Sequence, residues 1–403
     1  MIKDIFELQN PWRQQPDYKF TQKPRSILTV LFDNIDNDKM IGIVGSRQVG
    51  KSSVLFLLIK HLLQEKQIPP TDIFYFNLDD LKLHELFANA PDFLNFIGTP
   101  ASRRRYIFID EAQRLTNPGL FLKEIYDLRL ELKIFYSGSS HLELKSKTKE
   151  YLVGRSRVFE LQRLSFEEYL RFNMPITKKE ALDEMLIFGS YPEVSLERDP
   201  TQKKLLIKDI FQTYVEKDIT DFLKVGDVQA FNNLVKLLAM QSGKLLNLDS
   251  LAKALRLGRS LVEKYVQILE STFIVRRVFP FFRNYKKEII KTPKIYFLDL
   301  GLRNFVLNNF NPIEIREDCG VLFENFYFLQ LLTSDLYGLK KINFWRTTNG
   351  TEIDFIVQDE EGFSAIEVKW EKETEPRSFQ TIKRYYPEIA TKVVTRQSLL
   401  QSN

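Results

Sequence analysis

IGIVGSRQVGKSSVLFLLIKHLL, Ile41 to Leu63, reads as an apolar run, a glycine-bounded turn and an apolar-periodic segment, in that order. Within it Gly45-Ser46-Arg47-Gln48-Val49-Gly50-Lys51-Ser52 fits the phosphate-loop pattern GxxxxGK[ST], and Ser53 continues the run. Met40 to Val44 predicts a strand, and Val54, Leu55, Leu58 and Leu62 recur at helical spacing. Gly45 and Gly50 permit a tight turn that a side chain would strain. Backbone N–H groups turned inward, ahead of a helix N-terminus, attract phosphate. In such a loop Lys51 reaches the β- and γ-phosphates and the Ser52 hydroxyl ligates Mg²⁺. The plain alternative is a glycine-containing turn with a stray lysine; the complete pattern in strand–loop–helix context weighs against it.

The rest of a nucleotide core follows in order. Ile73 to Leu78 predicts a second strand, so that strand, helix and strand form a parallel crossover. Leu81 to Phe96 reads as one or two helices. Tyr106-Ile107-Phe108-Ile109 ends in Asp110-Glu111, an apolar strand carrying two acids at its carboxyl end, where open parallel sheets bind ligands. Asp110 is placed to hold Mg²⁺ opposite Ser52, and Glu111 to act as general base. Two acids ending a strand also suit a helix cap. Leu120 to Leu130 reads as a helix, and Leu132 to Tyr136 as a strand running into Ser137-Gly138-Ser139-Ser140. A small polar residue there, Ser139, suits contact with the γ-phosphate or the lytic water; an ordinary turn is the alternative. Arg155 suits charge neutralisation on a transferring phosphate, from its own chain or a neighbour's, or else a structural ion pair. Phe159 to Leu164 predicts a fifth strand. Arg103-Arg104-Arg105 reads as a solvated run, and a basic residue in the short helical stretch Arg25 to Asp33 as a surface residue.

After Ser165, a candidate cap, helical stretches run through Phe166–Arg171, Lys178–Ile187 and Lys203–Asp218, broken at Gly189-Ser190-Tyr191-Pro192. Asn247–Leu257, Ser260–Glu270 and the strand Phe273–Phe279 follow the order of a winged helix-turn-helix. The second helix carries Glu263, Lys264, Gln267 and Glu270, a mixed set poorly matched to a DNA groove, so packing or a partner protein competes with DNA reading. Last come a helix bearing Glu324 and strands at Lys341–Trp345, Glu352–Val357 and Ala365–Lys369. Glu367 and Lys369 are two apart on one strand face. With Asp354 on the neighbouring strand they make the set a metal-dependent nuclease needs: carboxylates for Mg²⁺ or Mn²⁺ and a lysine for water, with Glu324 at the edge. A charged strand face is the alternative.

Composition bounds these readings. The 403 residues suit several domains. Aromatic content of 13% argues for packed cores over disorder. A net charge of +5 permits nucleic-acid contact without arguing for it. One cysteine, Cys319, excludes a disulfide framework and a multi-thiolate zinc site. The start MIKDIFELQNPW lacks a basic segment ahead of an apolar core, and no uncharged apolar run reaches about 18 residues, so neither export nor membrane spanning is expected and the cytoplasm is the expected location.

Taken together, GSRQVGKSS, YIFIDEAQ, YSGSS, LVGR with LSFEEYL, FGSYPEV, YVEKDI, KIYFLDLGL, the Glu324 helix, TEIDFIV and IEVKW give the chain a family resemblance. It resembles the bacterial and archaeal AAA-type ATPases whose carboxyl half is an uncharacterised domain related to PD-(D/E)XK nucleases. The implied fold is α/β: a P-loop AAA-type core with lead-in over residues 1–164, a helical lid over 165–243, a winged-helix-like region over 244–317 and a restriction-endonuclease-like domain over 318–403. The resemblance implies ATP and Mg²⁺ at Lys51, Ser52, Asp110 and Glu111, with Ser139 as sensor and Arg155 as the family's arginine. The expected function is ATP hydrolysis driving a conformational switch. The alternatives are an ATP-regulated binding module and an ATP-controlled DNA nuclease. DNA, a partner protein or a second copy of the chain are the partners left open.

Overall fold

The computed structural model of the chain describes residues 2–98, 103–138, 151–174, 176–212, 227–282, 292–360, 362–371 and 374–401. It forms two compact units, Met1–Gln162 and Arg163–Asn403. In the first, β1 (Met40–Val44), β2 (Ile73–Asn77), β3 (Arg105–Asp110), β4 (Leu132–Gly138) and β5 (Ser156–Glu160) make one parallel sheet in the order β2-β3-β4-β1-β5. Every residue of β1 is buried, as a strand covered on both faces requires. β5 begins three residues before its expected start because Ser156 to Glu160 pair with Met40 to Val44 in register.

The lead-in closes the β2 edge. Asn10 both accepts from the Tyr75 N–H and donates to its carbonyl, each at 2.8 Å, and the Gln9 side chain accepts from the Asn77 N–H at 2.8 Å. Side-chain amides thus stand where another strand would add. Trp12 is buried among Tyr18, Phe20, Phe56 and Tyr75, the expected aromatic anchor. Two expectations about basic residues are amended: Arg103 is exposed, as a solvated run predicts, but its two neighbours are engaged. Arg105 donates to the Ile97 and Gly98 carbonyls, and Arg104 to the Asp36 carbonyl and Asp38, because both flank a strand that loops must reach. Arg25 is buried, as described below.

The second unit opens with helices Phe166–Phe172 and Lys178–Phe188. Each starts in a reciprocal capping box, Ser165 with Glu168 and Thr177 with Glu180. Helices Pro192–Leu196, Pro200–Phe211 and Val228–Met240 follow, then Leu248–Leu255 and Arg259–Ser271 with the antiparallel pair β6 (Val275–Val278) and β7 (Lys294–Phe297). One core runs through all of them, from Phe188 and Tyr191 through Phe231 and Val266 to Val275 and Ile295. Beyond the Cys319–Thr333 helix, β8 (Lys341–Arg346), β9 (Glu352–Asp359), β10 (Gly362–Lys369) and β11 (Ala390–Thr395) form a sheet in the order β11-β10-β9-β8. β8, β9 and β10 are antiparallel neighbours; β10 and β11 are parallel, joined through helix Arg377–Tyr385. The chain leaving β6 pairs with β8: the Phe344 N–H donates to the Phe279 carbonyl at 3.1 Å and the Phe281 N–H to the Phe344 carbonyl at 2.6 Å.

Two motifs with no evident chemistry have a packing role. The FGSYPEV turn and the LDLGL turn meet at Asp299, which is 0% exposed. Its carboxylate accepts from the Ser190 N–H and the Leu302 N–H, both at 2.9 Å. Side chains at Gly189 and Gly301 would overlap the Asp299 carboxylate and the Phe188 carbonyl respectively, so the close approach needs glycine. The YVEKDI motif lies outside the described residues. No helix among the described residues is long and apolar enough to cross a membrane.

Asp318 heads the Cys319–Thr333 helix and is gripped by Arg316 at 2.8 Å and Arg303 at 2.9 Å. Burial alone would raise its pKa; the hydrogen bonds and charges of the two guanidiniums outweigh that and hold it at about 2. A carboxylate depressed in the fold stabilises above its unfolded pKa of about 4, and that contribution is lost as pH falls through its folded pKa of about 2. Asp318→Asn is therefore expected to lower stability at pH 7 by about 2 kcal/mol, read by urea melts, with the difference from wild type shrinking as pH falls from about 4 through 2.

Candidate functional site

The loop from Gly45 to Gly50 joins β1 to helix Lys51–Gln64. Gly50 caps that helix at φ 98°, and Gln48 sits at φ 57°, so the turn takes left-handed backbone twice in three residues. A side chain at Gly45 would overlap the Leu161 carbonyl. Val49 is buried, and Arg25, 6% exposed, donates to the Val49 carbonyl at 2.9 Å and the Gln162 carbonyl at 2.7 Å. Arg25 thus clamps the loop from beneath. No spacing in the sequence marks it. Arg47 is partly exposed and Gln48 exposed; the Ser46 hydroxyl is buried with no partner among the described residues. Ser52 and Ser53, on the first turn of the helix, are partly exposed.

Lys51 is 4% exposed, and its ammonium donates to the Gly45 carbonyl at 3.3 Å and the Ser46 carbonyl at 3.0 Å. It lies 4.0 Å from the Glu111 carboxylate. Burial pushes its pKa down, while Glu111 and Asp110 oppose the shift. Asp110 ends β3 and is 0% exposed. The Tyr75 hydroxyl donates to it at 2.8 Å, and the Ser137 hydroxyl donates to its other oxygen. Burial, then the Asp110 charge, raises the Tyr75 pKa well above its ordinary value, which keeps that hydroxyl a donor. Glu111 has φ 57°, and its N–H donates to the Ser137 oxygen at 2.9 Å. The Gln113 amide donates to the Glu111 carboxylate.

The structure therefore brings Lys51, Asp110 and Glu111 together and adds Tyr75, Ser137 and Gln113. Ser139 lies outside the described residues. β4 stands between β1 and β3, which is why a hydroxyl at its end reaches the Asp110 carboxylate. Arg155 has the contacts of an ion pair, its guanidinium 2.7 Å and 3.1 Å from the two Asp127 oxygens. A cradle of left-handed turns, an orphan hydroxyl and a buried ammonium beside two acids fits a Mg²⁺-bound polyphosphate.

The second unit holds its own charged cluster. Glu367 accepts from Lys369 and from the Ser378 hydroxyl, both at 2.7 Å. Asp354 accepts from the Val368 N–H at 2.8 Å. Glu324 accepts from the Tyr296 hydroxyl at 2.6 Å. The sequence gives no warning of Lys294, 2% exposed at the head of β7. Its ammonium lies 2.7 Å from Glu352, 3.3 Å from Glu324 and 4.0 Å from Asp354. Burial would lower its pKa, but Glu324, Asp354 and Glu352 outweigh it and raise the value. Burial first, then Glu324, pushes Asp354 up to about 8 against the pull of Lys294. Among the described residues no three acidic, histidine or cysteine side chains are disposed to hold a metal ion.

Residues 37–170 match the AAA domain family, 179–312 a domain of unknown function (DUF8612), and 319–402 a domain of unknown function (DUF4143). The amino-terminal unit thus carries an α/β, AAA-type P-loop ATPase core. An uncharacterized protein of Methanocaldococcus jannaschii is 24% identical over 79% of this chain and 72% of its own length. An uncharacterized protein of Haemophilus influenzae is 24% identical over 83% and 84%. The structure of the Aeropyrum pernix Orc1 protein in complex with DNA, 13% identical, covers 74% of this chain and 96% of that one at a TM-score of 0.31, too loose a likeness to carry an argument.

Ser137→Ala removes a hydrogen bond from Asp110 and one from the Glu111 N–H. The expected outcome is a loss of about 1–2 kcal/mol of stability in thermal melts. ATP turnover should fall by about tenfold or more, as expected when a catalytic group is misplaced.

Proposed function

We propose that this chain binds ATP at residues Gly45 to Ser53 and hydrolyses it, with Glu111 as general base. The observation that carries the reading is the Lys51 ammonium, buried 4.0 Å from Glu111 at the head of the loop helix. An ammonium held out of water acts on a phosphate in a low dielectric, where its charge counts for more. In this reading Lys51 leaves the Gly45 and Ser46 carbonyls for the β- and γ-phosphates. The N–H groups of the loop and the Ser46 hydroxyl take phosphate oxygens. Ser52 and Asp110 would hold Mg²⁺, which when bound neutralises charge on the phosphates. Glu111 receives the proton of the attacking water at its carboxylate, steered by the Gln113 amide. Ser137 and Tyr75 keep the Asp110 carboxylate fixed. We assign Ser139 the sensor role and keep Arg155 as a candidate for charge neutralisation, for which it would first leave Asp127.

The output of the switch is assigned to the carboxyl-terminal unit. Its helix–turn–helix followed by β6 and β7 supports the winged-helix reading. The mixed charge of its second helix, with Glu263, Lys264, Gln267 and Glu270, supports a protein partner over a DNA groove.

Two variants test the ATPase. Lys51→Ala is expected to abolish nucleotide binding in calorimetry. Glu111→Gln is expected to bind ATP with wild-type affinity while single-turnover hydrolysis slows by about 100-fold or more. Hydrolysis within about twofold of wild type in the glutamine variant would remove Glu111 from the base role.

A further inference from the structure

We infer that Lys294 is the resident cation of the carboxyl-terminal carboxylate cluster, and that this cluster takes no divalent metal. The inference is independent of the ATPase reading. Glu324, Glu352 and Asp354 come from a helix and from β9, and each lies within 4.0 Å of one ammonium. That ammonium comes from β7, outside the four-stranded sheet, and is 2% exposed.

Carboxylates that converge out of water repel one another unless a positive charge stands between them. In a metal-dependent phosphodiesterase that charge is a hard divalent cation held by oxygen ligands. Here the Lys294 ammonium supplies the positive charge for Glu324, Glu352 and Asp354, so that of the two candidate metal carboxylates Asp354 already faces a resident cation. A divalent ion would have to displace it and leave an unpaired charge buried, which is strongly unfavourable. The remaining acid is also engaged: Glu367 has one oxygen on Lys369 and the other on Ser378. Glu324 is held further by Tyr296, two residues along the lysine's own strand and so on the same face. Lys294 also lies over the Phe344 ring, its ammonium 5.6 Å from the centroid. The lysine is therefore built in from three sides. It replaces the metal of a nuclease-like site by an internal ion pair, and the carboxyl-terminal fold serves as a scaffold without metal-dependent phosphodiester cleavage.

The test is a Mn²⁺ titration of the 403-residue chain without nucleotide. Free Mn²⁺ is read by electron paramagnetic resonance and stability by thermal melts. Wild type, Asp354→Asn, Lys294→Met and the double variant are compared. Wild type and Asp354→Asn are expected to take up Mn²⁺ identically. Lys294→Met, which keeps the volume and removes the charge, is expected to gain one equivalent at least tenfold tighter than any wild-type uptake, with a Mn²⁺-dependent rise in Tm. The double variant should lose that gain. A wild-type equivalent that Asp354→Asn removes would overturn the inference, as would a folded Lys294→Met that takes up no more than wild type. If Lys294→Met does not fold, the comparison of wild type with Asp354→Asn decides alone: identical uptake upholds the inference and a difference overturns it.

Discussion

The Ser137 hydroxyl ties the ends of two strands into one site. It donates to the Asp110 carboxylate and accepts from the Glu111 N–H, so one side chain on β4 holds the last residue of β3 and the backbone of the acid that follows it. The arrangement is forced by the cost of burying charge. Asp110 has no exposure, and a carboxylate out of water must be met by donors or a cation. Ser137 and Tyr75 meet it from the strands on either side. With Asp110 satisfied, Glu111 can turn through left-handed backbone and set its carboxylate beside Lys51. Removing one member leaves the others short of a partner, so substitutions within the site are expected to be non-additive.

The carboxyl-terminal unit obeys the same rule without producing a nucleotide site. Asp299 spends its hydrogen bonds on backbone N–H groups and joins two turns. Arg303 and Arg316 share Asp318 at the start of a long helix. Lys294 collects three acids from elements far apart in sequence. Each of these charges fixes the relation between segments whose apolar packing alone would permit sliding, because a displaced ion pair is penalised far more sharply than a displaced methyl contact.

What was legible in the sequence is what local pattern controls. The phosphate loop, the apolar strands and the acids at the end of β3 follow from spacing within a few residues. So does the Ser165 cap. Asp354, Glu367 and Lys369 could be assigned to facing strand positions by the period of two. The unread part is long-range. Arg25 lies 24 residues from Val49 and 137 from Gln162, and no local rule sends a buried guanidinium there. Lys294 opens the strand KIYF, and its partners lie 30 or more residues on. β5 starts early because its register belongs to β1, which its own composition cannot reveal. Arg104 and Arg105 looked solvated because charge runs usually are; here loop carbonyls had need of donors.

The hydrogen bonds between Phe344 and the chain leaving β6 bear on how the carboxyl-terminal part can be inherited. The two matched segments there span residues 179–312 and 319–402. Lys294 and the strand that pairs with β8 belong to the first; Glu324, Glu352, Asp354 and β8 itself belong to the second. A recombination that exchanged either segment by itself would strand three acids without their ammonium and leave the β8 edge without its neighbour. The seam between the segments is therefore a boundary of sequence resemblance but not of folding cooperativity, and the two are expected to pass through evolution as one heritable piece.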